Sequence, residues 1–280
     1  MKVLIFYSIL CFLSLWMADA VTANNTWERI DDGLFIREFD PPVNPEGDSF
    51  SPATVRSEPK ITVVRVDPSL YSFKLLSISE YGGEATTAKE WARRYNLILA
   101  VNAGMYQADG TTNVGFMKNF KHVNNPRLSK AYKSFFAFNP SVSYVPPVLF
   151  VDLECHNFAE LRDKYNSFIQ NIRMISCQQK NVWLQQSGAW GMVVLGMDKG
   201  GNVLFIFTRT PYTVHDFIDI LLKLPISITN AMYLEGGKQA SLYLSTKGTE
   251  IERNGDDKQP WPIPNIIGIV KKTSEVRKVK

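Results

Sequence analysis

The stretch that decides the fold is MVVLGMDKGGNVLFIFT, residues 192–208. Its two apolar runs, 192–197 and 203–208, are rich in β-branched and aromatic residues and flank the polar link DKGGN at 198–202. This pattern is typical of a β-hairpin, because glycine and asparagine supply the backbone angles that a tight turn requires. Similar apolar runs predict further strands at 34–37, 61–66, 71–78, 97–101, 231–235, 240–244 and 266–271.

Three helices are predicted between these strands. Thr87 can cap the first, and its apolar side chains recur at helical spacing, at Ala88, Trp91, Ala92 and Tyr95. Asn157 can cap the second, whose stripe is Phe158, Leu161, Tyr165 and Phe168. The third begins at Thr213 and stops before Pro225. Strands and helices in this irregular order predict an α+β fold with a mixed, largely antiparallel sheet and about three flanking helices.

The N-terminus has the pattern of a secretory signal peptide. Lys2 precedes an apolar run from Val3 to Met17, and small residues follow at Ala18 and Ala20. We therefore expect residues 1–20 to be a signal peptide cleaved near Ala20, with an uncleaved anchor as the alternative. Residues 21–58 are interpreted as an N-terminal lead-in, 59–272 as one catalytic-type domain and 273–280 as a basic tail. After cleavage we expect no stable membrane span and a secreted or periplasmic location.

Charge and cysteine content further limit the classes of protein that fit this sequence. The excess of lysine and arginine over acidic residues is concentrated in the last ten residues, so the body lacks the basic footprint of a nucleic-acid binder. Once Cys11 leaves with the signal peptide, Cys155 and Cys177 remain, and an even pair in an oxidising compartment predicts a disulfide. A nucleophilic Cys155 beside His156 is the alternative.

Several enzyme classes leave recognisable motifs that this chain lacks. The sequence contains no HExxH, G-x-S-x-G, Walker lysine loop, strand-associated GxGxxG or paired CxxC, and it has only three histidines. These absences argue against metalloprotease, α/β-hydrolase, nucleotidase and dinucleotide-binding functions.

Polar residues instead gather where strands end. Asn102 follows a buried-looking strand, and Gly104 beside it lets a ligand approach the backbone. Glu235 ends another strand and is followed by Gly236 and Gly237, then Ser241. Either motif alone could be a simple turn.

A third candidate is the segment QNIRM, residues 170–174, which the two cysteines bracket. Arg173 lies between apolar neighbours, so we expect its guanidinium to be partly enclosed and to need an anionic partner. That partner is either internal, for example Glu235, or the phosphate of a ligand.

The motif series VNAGMY, VGFMKN, QNIRM, LGMDKGGNVLFIFTRTPY and AMYLEGGKQASLYL, in this order over about residues 60–271, resembles the phosphodiester glycosidase family. Better-known members carry Asp-Gly-Gly followed by Ser where this chain has the segment from Glu235 to Ser241. The resemblance implies hydrolysis of a sugar joined through its anomeric carbon to a phosphodiester.

For a substrate of this class we hypothesise a role for each candidate residue. Glu235 would be the catalytic carboxylate, Arg173 the phosphate clamp, and Asn102 a further catalytic hydrogen-bonding group. Substrate binding would involve Gly104, Tyr106, Lys118, Gln170, Gly236, Gly237 and Ser241, with the Tyr106 ring facing the sugar and Lys118 adding charge.

The expected partner is a carbohydrate phosphodiester or an envelope glycan. A cofactor is not required by the sequence, and dependence on a divalent ion stays open. A non-catalytic secreted glycan-binding or envelope-associated protein on the same fold is the alternative function.

Overall fold

Two antiparallel sheets form the described chain, which comprises residues 26–40, 60–256 and 258–273 of a computed structural model. The predicted signal peptide and most of the basic tail lie outside these residues. The strands, in chain order, are β1 Glu28–Asp31, β2 Leu34–Phe39, β3 Ile61–Val66, β4 Tyr71–Ser77, β5 Leu99–Asn102, β6 Met117–Asn119, β7 His122–Asn125, β8 Ser134–Pro140, β9 Val148–Asp152, β10 Tyr165–Ile175, β11 Trp190–Asp198, β12 Val203–Tyr212, β13 Ile228–Gly236, β14 Ser241–Thr246, β15 Thr249–Asn254 and β16 Asn265–Lys271.

The larger sheet has the order β1-β2-β3-β12-β11-β13-β10-β6-β7, with β8 joined to both β10 and β9. The smaller sheet has the order β15-β14-β5-β16-β4. Every strand pairing in the described ranges is antiparallel, which confirms the expected antiparallel character. β1 and β2, from the predicted lead-in, hydrogen-bond onto the large sheet through β3.

The main core lies between the sheets and is built from the apolar face of each. Phe73 of β4 packs against Phe136 and Phe138 of β8 and against Phe205 of β12. Alternation along the strands sends every second side chain into this layer and the others outward. The hairpin predicted at 192–208 is therefore at the centre of the fold, with β11 and β12 paired along their length.

Helices are few and cover the outer faces of the sheets: α1 Ile78–Tyr81, α2 Ala88–Tyr95, α3 Phe158–Leu161 and α4 Val214–Lys223. The predicted caps of α2 and α4 are confirmed, because Thr87 and Thr213 each accept a hydrogen bond from the N3 amide. Trp91 of α2 and Phe217 of α4 are fully buried against their sheets. No helix within the described residues is long and apolar enough to cross a membrane.

The second helix was predicted too long. Only Phe158–Leu161 is helical, and Tyr165–Ile175 forms β10. Phe168 packs with Phe135 on one face of β10 whereas Ile169 enters the core between the sheets, so the side chains follow a period of two. Pairing with β8 along its length overrides the helical spacing of the aromatic residues.

Candidate functional site

One end of the main core is polar. Asp152, Ser134 and Asn171 lie side by side in register on β9, β8 and β10. They occupy the face that Phe136 and Ile169 present to the core between the sheets, and all three are buried. The apolar layer therefore ends in a row of hydrogen-bonding side chains.

A β-bulge in β13 brings Glu235 to this face. Val193 of β11 pairs with Glu235 and Val194 pairs with Tyr233, so Leu234 is an extra residue. Val193 belongs to the core between the sheets, whereas Val194 faces the outer core with Tyr233. A bulge changes the direction of the side chains that follow it, and here it turns Glu235 towards the inner face.

Glu235 is a buried acid without a cationic partner. The residue is 9% exposed, and it forms no salt bridge with any residue in the described ranges. Burial raises the pKa of Glu235 to about 7, although the N–H of Gly236 donates a hydrogen bond to the carboxylate and opposes the rise. A carboxyl group with this pKa can exchange a proton near neutral pH.

Two phenol groups lie close enough to Glu235 to sense its charge. Burial raises the pKa of Tyr132, and the negative charge of Glu235 raises it further. The pKa of Tyr233 is raised by the same two causes, and its hydroxyl accepts a hydrogen bond from Trp190 Nε1 at 3.0 Å. The surroundings of Glu235 are thus aromatic and hydroxylic.

Arg173 is enclosed as predicted, and its partners are internal. Its Nη1 donates to Asp152 Oδ1 at 2.7 Å and its Nη2 donates to Glu154 Oε1 at 2.6 Å. Both contacts raise the pKa of the guanidinium, and the contact with Arg173 lowers the pKa of Glu154. The suggestion from sequence that Glu235 is the internal partner is therefore wrong, because the carboxylates of Asp152 and Glu154 bind the guanidinium instead.

Asn102 ends β5 and ties it to the segment that follows Glu235. Its Nδ2 donates to the carbonyl of Gln239 at 3.0 Å, and its Oδ1 accepts the N–H of Ser241 at 2.8 Å. The Ser241 hydroxyl donates to the same Gln239 carbonyl at 3.1 Å. Both polar ends of Asn102 are thus engaged in holding the short 3-10 turn Gly237–Gln239.

Within the described residues, three buried amide side chains that each have one unpartnered atom surround Gly104. A Cβ added to Gly104 would lie 2.7 Å from Asn113 Oδ1 and 2.7 Å from Asn171 Oδ1, and neither oxygen accepts a hydrogen bond. Asn265 accepts the Gly104 N–H, but its Nδ2 is also unpartnered. Ser134 Oγ and Arg173 Nε complete five unsatisfied buried groups on this side of the core. Such groups are what a polar ligand or ordered water would satisfy.

Hydrogen bonds link the loop that carries Gly104 to β10 on one side and to the segment after Glu235 on the other. Asn171 Nδ2 donates to the carbonyl of Ala103 at 2.8 Å, which joins β10 to the loop carrying Gly104. Asn102, next to Ala103, joins the same loop to the segment after Glu235. Asn102, Gly104 and the QNIRM segment are therefore in one hydrogen-bonded network.

The other predicted residues have distinct positions. Gln170 is buried and holds the segment before β8, donating to the carbonyls of Ser129 and Tyr132. A Cβ on Gly236 would collide with the Tyr233 hydroxyl and with Trp190, and Gly237 has a φ of 62° that favours glycine. Their identities are thus explained by packing and backbone conformation.

Tyr106 and Lys118 are the two remaining residues that the sequence predicts to bind substrate. Tyr106 is partly exposed, and its backbone forms an isolated bridge with Asn113, whose side chain lies beside Gly104. Lys118 pairs with Phe168, which faces away from the side of β10 that carries Ile169 and Arg173. Lys118 therefore does not share a face with Arg173, and its predicted contribution to the phosphate clamp is not supported by the register.

Sequence reasoning missed several members of the site: Asn113, Tyr132, Asp152, Glu154 and Asn265. None has a local signal, because each reaches the site through strand register or a loop return. The predicted disulfide between Cys155 and Cys177 is present, which excludes the alternative of a free Cys155 nucleophile. Within the described part of the chain, no cluster of three His, Cys, Asp or Glu residues could hold a metal ion.

The sequence model of the phosphodiester glycosidase family matches residues 95–270. Among solved structures, the catalytic domain of zebrafish N-acetylglucosamine-1-phosphodiester alpha-N-acetylglucosaminidase, auto-inhibited by its pro-peptide, is similar with a TM-score of 0.59 and 13% identity. That similarity covers 88% of this chain and 86% of the zebrafish chain. A hypothetical protein from Synechocystis is similar with a TM-score of 0.59 and 13% identity, over 86% of this chain and 62% of that one. No curated protein sequence matches the chain.

Proposed function

Because the chain belongs to the phosphodiester glycosidase family, we propose that it is a hydrolase that cleaves a sugar-1-phosphodiester at the bond between the anomeric carbon and oxygen. The observation that carries this proposal is the buried Glu235, which lacks a cationic partner and whose pKa is raised to about 7, at the polar end of the core. Strongly perturbed carboxyl groups of this kind concentrate at catalytic sites.

The substrate class explains how one carboxylate could be sufficient. Ordinary glycosidases use two carboxyl groups, one of which protonates a basic sugar alkoxide as it leaves. In a sugar-1-phosphodiester the leaving group is a phosphate monoester, which is far less basic and departs without strong protonation. The demand on the protein is then to activate water and to stabilise charge.

Glu235 would act as the general base. In its ionised form it takes a proton from water while the water oxygen attacks C1. The C1–O bond breaks and the phosphate monoester leaves with the electron pair. Alternatively, the carboxylate would stay ionised and stabilise the positive charge that develops on the sugar ring. Tyr132 and Tyr233, close to Glu235, would keep the surroundings of this water aromatic and hydroxylic.

Arg173 would bind the phosphate through its guanidinium, whose planar donors match phosphate oxygens. Asn102 would act mainly by holding the segment after Glu235, and Ser241 belongs to the same contact. The unpartnered oxygens of Asn113 and Asn171 would accept hydrogen bonds from sugar hydroxyl groups beside Gly104. Tyr106 would offer its ring to the sugar.

We also propose that the protein acts outside the cytoplasm, on a carbohydrate phosphodiester or an envelope glycan. The disulfide between Cys155 and Cys177 supports an oxidising compartment. The N-terminal pattern of residues 1–20 supports export through a signal peptide.

The test is release of reducing sugar from a panel of α- and β-linked sugar-1-phosphodiesters, with and without a chelator. We expect Glu235→Gln to lose at least about 100-fold in rate, in line with removal of a general base, while retaining its circular dichroism spectrum. Glu84→Gln, a change at an exposed carboxylate, is the matched control and should retain full activity. Turnover by Glu235→Gln at the wild-type rate would remove Glu235 from the mechanism, and binding without turnover by the wild type would favour a glycan-binding protein.

A further inference from the structure

Arg173 has two carboxylate partners of very different character. The side chain of Asp152 is completely buried, whereas that of Glu154 is 54% exposed, although both lie within 2.7 Å of a guanidinium nitrogen. An exposed ion pair is screened by solvent and contributes little, whereas a buried one is strongly coupled to its surroundings. The two contacts with Arg173 should therefore differ greatly in how easily they break.

Asp152 is held from several sides. Its Oδ1 accepts the N–H of Glu154 at 3.0 Å in addition to Arg173, and its Oδ2 accepts the N–H of Cys177 at 2.8 Å. The disulfide between Cys155 and Cys177 joins the two segments that supply these amides. Asp152 is thus a fixed carboxylate that orients the guanidinium through Nη1.

Glu154, in contrast, has Arg173 as its one hydrogen-bonding side-chain partner within the described chain. Lys133 is near enough to lower the pKa of Glu154, and Asp152 is near enough to oppose that change. With Lys133 counted, the two acids balance the two bases, so the site has no excess positive charge to attract a phosphate while Glu154 is in place. Glu154 must leave before an anion can bind.

The guanidinium has one edge that is half occupied, and this edge suits the exchange of Glu154 for a phosphate. Nε of Arg173 is buried and has no hydrogen-bond partner among the residues that the structure describes. Nε and Nη2 form one edge of the guanidinium plane, and Nη2 is the nitrogen that Glu154 occupies. Departure of Glu154 would free Nη2 and so leave two parallel N–H donors without a partner, which is the arrangement that binds phosphate in a bidentate manner.

We propose that Asp152 is a positioning residue for Arg173, and that Glu154 occupies the place of the substrate phosphate and is displaced by it. This inference rests on the proposed function, because it assumes that the phosphate of the substrate binds to Arg173. Substrate binding then exchanges one exposed carboxylate for a bidentate phosphate, while the buried bond to Asp152 keeps the guanidinium in place.

The test is the dissociation constant of inorganic phosphate and of α-glucose 1-phosphate, measured by calorimetry on the full chain. Glu154→Gln should bind both ligands up to about fivefold more tightly at low salt, since an exposed carboxylate no longer competes. The gain should shrink at high ionic strength. Asp163→Asn removes another exposed acid, whose side chain contacts only the neighbouring Arg162 within the described residues, and should leave the affinity unchanged.

Asp152 is tested by a conservative pair of variants. Asp152→Asn should weaken phosphate binding at least tenfold, and Asp152→Glu should recover part of the affinity because it restores the charge. Equal affinity in Asp152→Asn and wild type would overturn the positioning role, as would equal loss in both variants.

Two outcomes separate this inference from the proposed function. If Arg173→Lys weakens phosphate binding but Glu154→Gln does not strengthen it, the clamp stands and the exchange is wrong. If Arg173→Lys binds phosphate as well as the wild type, the phosphate does not bind at Arg173. The phosphate clamp of the proposed function and the exchange of Glu154 for phosphate are then both wrong. Absence of measurable phosphate binding in every variant would also overturn the exchange.

Discussion

Replacing Glu235 with glutamine should stabilise the fold at alkaline pH while abolishing activity. The pKa of Glu235 rises from 4.5 to about 7 because the carboxyl group is buried. Below its unfolded pKa the group is neutral in both states, and its contribution to stability is fully present. As the pH rises through about 7 the buried carboxyl ionises and that contribution is lost. The penalty is about 3 kcal/mol, since each pKa unit corresponds to about 1.4 kcal/mol.

The assay is urea denaturation of the wild type and Glu235→Gln at about pH 4 and about pH 8.5, on either side of the titration. The advantage of the variant in free energy of unfolding should increase by about 3 kcal/mol between the two conditions. Any fixed cost of the glutamine amide cancels in this difference. An advantage that does not change with pH would refute the reasoning, because Glu235 would then ionise as it does in water.

Three further outcomes follow from named contacts. Asn102→Ala should lower the free energy of unfolding by about 1–3 kcal/mol, because the Ser241 N–H loses its acceptor and the Gln239 carbonyl loses one of its two donors. It should also lower activity beyond the loss of folded protein, and denaturation and rate measurements on one sample check both effects. Gly236→Ala should lower the free energy of unfolding by about 1–3 kcal/mol, because the added Cβ collides with the Tyr233 hydroxyl. Adding Tyr233→Phe to this variant should restore part of the lost melting temperature. Reduction of the disulfide between Cys155 and Cys177 should lower the free energy of unfolding by about 3 kcal/mol. The double variant Cys155→Ser, Cys177→Ser should melt at the temperature of the reduced wild type, and reductant should not change that temperature.

Local patterns were sufficient for much of the fold. The turn DKGGN joins β11 and β12 as its glycines predict, and Thr87 and Thr213 cap α2 and α4. These features depend on residues close together in sequence. β10 could not be predicted in this way, because its aromatic side chains fit a helical stripe and only its pairing with β8 selects the extended form.

The candidate site was predictable only in its residue types. Sequence indicated that Arg173 would be enclosed and would need an acid, but Asp152 becomes its neighbour through the register of β9, β8 and β10. The direction of Glu235 depends on a bulge at Leu234, which has no signal in the local sequence. Asn113 and Asn265 face Gly104 because a loop and a strand from distant parts of the chain meet there.

The most direct measurement is hydrolysis of a sugar-1-phosphodiester in ¹⁸O-labelled water, followed by mass spectrometry of both products. Attack of water on C1 with Glu235 as base predicts that the label enters the released sugar and that the phosphate monoester contains none. Label in the phosphate monoester would mean that the P–O bond is cleaved, and would contradict glycosidic hydrolysis at this site.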